Sequence, residues 1–127
     1  MLTQEILKGA LALMGEPVTL VEDGEYEART PYILAAFCTE VALSDQLYRK
    51  ALGLETGEPY NGIYLALDAE FPVSERFCPA ATSYLASMLL LEEDPDGSEK
   101  QFERYCEQLS ALMAELPGMP EAIREVY

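Results

Sequence analysis

Phe71–Gly97, FPVSERFCPAATSYLASMLLLEEDPDG, decides the fold, because its middle, Phe77 to Leu91, carries no charge. Phe77, Ala80, Ala81, Tyr84, Leu85, Met88 and Leu89 recur at i, i+3, i+4, i+7, i+8, i+11 and i+12, the stripe that an α-helix buries. The opposite face, with Thr82, Ser83, Ala86, Ser87 and Leu90, is small or apolar, so the segment predicts a central helix covered on most sides. Acidic residues close both ends, and the run is shorter than the roughly 18 residues a membrane span needs. Pro79 fits the first turn of a helix that starts at Cys78, which makes Ser74 to Phe77 a separate turn with Ser74 as cap.

Outward from this segment, three amphipathic stretches predict the helices that cover it. Thr3 reads as the N-cap of the first, with Leu2 and Leu7 as a hydrophobic staple and Ile6, Leu7, Ala10, Leu11 and Met14 as the buried stripe. Gly15 and Pro17 end it, and Gly9 within it points to a close helix contact. A loop, or a loop that ends in a helical turn, follows over 18–29. Thr30-Pro31 then reads as N-cap and first residue of a helix to Leu52, with Leu34, Phe37, Cys38, Val41, Tyr48 and Leu52 inward, Ser44-Asp45 a candidate break and Gly53 the stop. After Asp94-Pro95-Asp96-Gly97, Ser98 and Gln101 suggest a capping box. Phe102, Tyr105, Cys106, Leu109, Leu112, Met113 and Leu116 carry the last long stripe, stopped by Pro117-Gly118. The Gly- and Pro-rich stretch 53–74, where Ile63, Leu65 and Leu67 alternate, predicts an extended connector or small hairpin. The expectation is a single all-α domain over residues 1–127, a small bundle of about four helices around a buried central one.

Composition narrows the function. A net charge of −15, from 23 acidic and 8 basic residues, opposes binding to a nucleic-acid backbone or an anionic membrane. The chain has no histidine, so Ser/His/Asp and Cys/His nucleophile systems and imidazole metal ligands drop out. Cys38, Cys78 and Cys106 form no CxxC pair and read as packing residues in a reducing compartment. The acidic turn at Asp94 lacks the later ligands of a calcium loop, and no Gly-rich phosphate loop occurs, so no cofactor, metal or catalytic residue is expected. The amino-terminal stretch lacks the pattern of a secretion signal, which predicts a cytoplasmic protein. Eight tyrosines are more than a small core requires, and tyrosine outside a core is enriched at protein interfaces. The tail 119–127 carries Met119, Ile123, Val126 and Tyr127, whose apolar side chains need cover from the core or from a neighbouring subunit.

Two stretches carry a resemblance. ILKGALALMGE is similar to the first helix, and FPVSERFCPAATSYLASMLLLEEDPDGSEKQFERY to the core, of the head-tail connector (head completion) proteins of tailed bacteriophages, small helical adaptors between portal and tail. Tail-accessory members often carry a late Trp in the second helix, where this chain offers at most Tyr48. The resemblance implies a prophage-encoded, non-enzymatic protein that assembles as a ring on the portal and contacts tail or stopper proteins. It also implies location in the bacterial host cytoplasm and then the virion neck, with Met119, Ile123, Val126 and Tyr127 as candidate subunit or portal contacts. An acidic surface facing the channel would keep DNA from sticking. Charge repulsion between subunits predicts a monomer or weak oligomer in isolation. The competing expectation, from charge alone, is an acidic DNA mimic or regulator that occupies a basic partner's site.

Overall fold

The computed structural model describes residues 1–15 and 24–115, and these form an all-α bundle of four helices with no strand among them. The helices are α1 (Thr3–Met14), α2 (Glu25–Ala51), α3 (Cys78–Leu90) and α4 (Pro95–Ala114), with a short 3-10 turn, Glu75–Phe77, before α3. As its uncharged sequence requires, α3 is the centre and packs against α1, α2 and α4. Ala80, Ala81, Ser83, Leu85, Ala86, Ser87 and Leu89 are all buried. Burying Leu85 and Leu89 stabilises the fold by about 1.5–3 kcal/mol each. Among the described residues no helix is long and apolar enough to cross a membrane.

Small residues let the neighbours close on α3. A Cβ added at Gly9 of α1 would lie 3.1 Å from the Thr82 methyl, which is the close approach its mid-helix glycine implies. Phe37 of α2 joins the layers, its ring 6.3 Å from Phe71 of the connector, 5.6 Å from Tyr84 of α3 and 6.0 Å from Tyr105 of α4.

Several helix ends differ from the sequence reading, and hydroxyl groups explain most of the differences. Thr3 is the first residue of α1, not its cap: its N–H and Oγ1 both donate to the Ala69 carbonyl at 2.9 Å, while Gln4 N–H donates to Leu67 O. The connector thus satisfies amides that a cap would otherwise take. α2 starts at Glu25, five residues before Thr30, and Pro31 lies inside it. Thr30 Oγ1 donates to Tyr26 O at 2.6 Å, a back-bond available only within a helix. The same helix runs unbroken through Ser44-Asp45, and Leu52 is half-exposed, not inward.

The cap of α4 is Asp94, which accepts from Gly97 N–H at 3.1 Å. Ser98 lies buried in the first turn and donates to Ser87 O at 2.8 Å, tying α4 to α3. Ser74 caps nothing with its side chain, and its hydroxyl instead serves Asp45. The connector is extended, and its pairing is limited to an isolated bridge between Leu2 and Glu70, so the hairpin alternative is not formed. Gly15 closes α1 at φ 80°, as expected. The predicted loop over 18–23, Pro17, Leu116 and the Pro117-Gly118 stop fall outside the described residues.

Candidate docking surface on α2 and the connector

The connector runs antiparallel along α2, held at four points. Leu54 N–H donates to Arg49 O at 2.8 Å, Gln46 Nε2 to Gly57 O at 3.0 Å, Thr39 Oγ1 to Gly62 O at 3.2 Å, and Leu65 N–H to Pro31 O at 3.0 Å. Its far end is fixed by Asp45, a buried carboxylate on α2 that accepts from Ser74 N–H at 3.0 Å, Ser74 Oγ at 2.6 Å and Arg49 Nε at 3.0 Å. A turn-forming Ser-Asp pair in sequence is here an anchor inside a continuous helix. Sequence reasoning missed it because nothing local shows that Ser74 returns to this point.

Between helix and connector lie shallow hollows. One of about 450 Å³ is lined by Tyr32, Ala36, Thr39 and Glu40 on α2 and by Gly62 and Ile63 on the connector. A second, of about 260 Å³, is lined by Leu43, Gln46, Leu47, Lys50 and Thr56. Six of the nine large apolar side chains exposed among the described residues belong to this side: Tyr32, Leu43, Leu52, Leu54, Ile63 and Tyr64. Ile63 is 82% exposed, and the rings of Tyr32 and Tyr64 meet edge to face at 5.1 Å. Such a cluster on an otherwise acidic surface is what a protein contact uses. The available signal was a second apolar stripe on α2, Tyr32, Ala36, Leu43 and Leu47, at helical spacing beside the core stripe.

The thiols offer little reactivity in the core. Burial, then the Asp45 charge and Cys78, pushes the Cys38 thiol up to about 12. Burial, then Glu75, raises Cys78 as well. Cys106 is exposed, which corrects its reading as a packing residue. Among the described residues no group of three or more acids and cysteines is placed to hold a metal ion. Met119, Ile123, Val126 and Tyr127, the candidate contacts of the tail, lie outside the described residues. No protein family, no curated protein and no solved structure matches this chain.

Proposed function

We propose that the chain is a structural assembly protein, a phage or prophage head-tail connector that forms a ring on the portal and links head to tail. The observation that carries the docking role is the apolar side formed by Tyr32, Leu43, Ile63 and Tyr64 on an acidic helical bundle. The step from docking protein to connector rests on the resemblance of ILKGALALMGE and of the segment 71–105. In this reading the protein works first in the host cytoplasm and then in the virion neck, and its net charge of −15 favours a basic partner surface while repelling the passing DNA.

The test is to mix the purified chain with the portal protein of its own genome and follow the complex by size-exclusion chromatography with light scattering. The expected result is a complex that is tightest at low salt and lost in Ile63→Asp, whose side chain is too exposed for its replacement to disturb the core. No complex at low salt, where attraction to a basic surface is strongest, would overturn the connector reading.

A further inference from the structure

The outer stripe of α2 is self-complementary, and we infer that two copies of the chain pair along it, antiparallel, about a two-fold axis near residues 37 and 38. Glu25, Ala28, Tyr32, Ala36, Thr39, Leu43 and Lys50 are exposed and Leu47 is partly so. At 100° per residue all lie within about 60° of one helix line. A two-fold axis at the midpoint sets Glu25 opposite Lys50, Ala28 opposite Leu47, Tyr32 opposite Leu43 and Ala36 opposite Thr39. Each match has a physical reason. The smallest pair lies at the crossing, where two helix axes come closest. The larger apolar side chains meet on either side of it, and Glu25, 3.8 Å from Arg29 of its own helix, meets Lys50 at the ends, with Arg29, Glu40 and Gln46 at the margins of the stripe. Antiparallel packing also opposes the helix dipoles, and Ile63 stands beside Ala36 and Thr39 to extend the contact.

A two-fold contact uses the same patch on both copies and closes on itself, so this dimer is a state of the free protein and does not build a ring. The inference rests on the docking reading of this side and not on the portal. Two chains of −15 repel, so added salt, which shortens the screening length from about 10 Å at 0.1 M to about 3 Å at 1 M, strengthens the dimer. It would weaken contact with a basic partner.

The experiment is sedimentation equilibrium of the full chain from 10 μM to 1 mM, all loadings approximate, in low and moderate salt. A monomer–dimer equilibrium favoured by salt is expected. Ala36→Glu should weaken it about tenfold or more while leaving the circular-dichroism melt unchanged. Glu25→Lys and Lys50→Glu should each weaken it about threefold or more at moderate salt, and the double reversal, which keeps the net charge, should restore it. A monomer throughout, an Ala36→Glu chain that dimerises like the wild type, or a double reversal no tighter than the singles overturns the inference. Each of these leaves the portal experiment intact, so failure of the dimer and failure of the connector reading are separable.

Discussion

Gly9 is the clearest case of a residue legible in advance, since a mid-helix glycine costs about 1 kcal/mol relative to alanine and is kept here by the approach of Thr82. Gly9→Ala should gain little alone, because its Cβ crowds the Thr82 methyl. In a Thr82→Ser background, which removes that methyl and keeps the hydroxyl donating to Cys78 O, it should stabilise by about 1 kcal/mol more. Equal effects in both backgrounds, read from urea midpoints, would mean the helices are not in contact there. Leu85→Asp places a charge at a fully buried position and should cost about 4 kcal/mol or more, whereas exposed Glu103→Ala should change stability by less than about 0.5 kcal/mol. Asp45 shows what local sequence conceals: its partners are the adjacent turn's Arg49 and the distant Ser74. The core thiols give a pH prediction. Cys38 titrates near 12 folded against 9.0 in the unfolded chain, so its neutral form stabilises the fold fully below pH 9 and this contribution is lost as pH rises towards 12. The melting temperature should fall over that range, and more gently in Cys38→Ala. A thiol reagent at neutral pH should label Cys106 alone until the chain is unfolded.

At the scale of elements, the periodic stripes identified all four helices, while the ends were less legible because hydroxyl side chains serve both caps and tertiary bonds. The sequence makes Thr3, Thr30 and Ser98 candidate caps, yet each lies inside a helix with its hydroxyl donating to a carbonyl, on the connector, one turn back, and on α3 respectively. Propensity cannot separate these uses, since the carbonyl that competes for Thr3 is 66 residues away. The α4 start tests the point. If Asp94 is the cap, Asp94→Ala should cost about 1 kcal/mol by loss of its bond to Gly97 N–H. A neutral Asp94→Ala would return the capping role to Ser98. The extended connector was legible from its glycines and prolines, but the alternation of Ile63, Leu65 and Leu67 was misleading as a strand signal. Leu65 goes into the core and Ile63 faces out, because the segment is bonded to α2 and α1 at separate points instead of to a neighbouring strand.

At the scale of the whole molecule, the bundle buries its uncharged helix and leaves an apolar side on α2 and the connector, and the proposed role follows from that side. Tyr32 and Tyr64 stand on this side, and its make-up depends on Gly62, Gly57 and Leu54 meeting α2, which no helical period reports. The tail's part is open to a truncation after Gly118: loss of portal binding with the melt unchanged places Met119–Tyr127 at an interface, whereas a large fall in stability places it on the core. That assembly covers the α2–connector side is tested directly by hydroxyl-radical footprinting of the chain free and bound to its portal. Oxidation of Tyr32, Leu43, Ile63 and Tyr64 should fall several-fold on assembly while exposed Leu91 and Phe102 react as before. Unchanged oxidation of these four side chains in a complex that does form would contradict it.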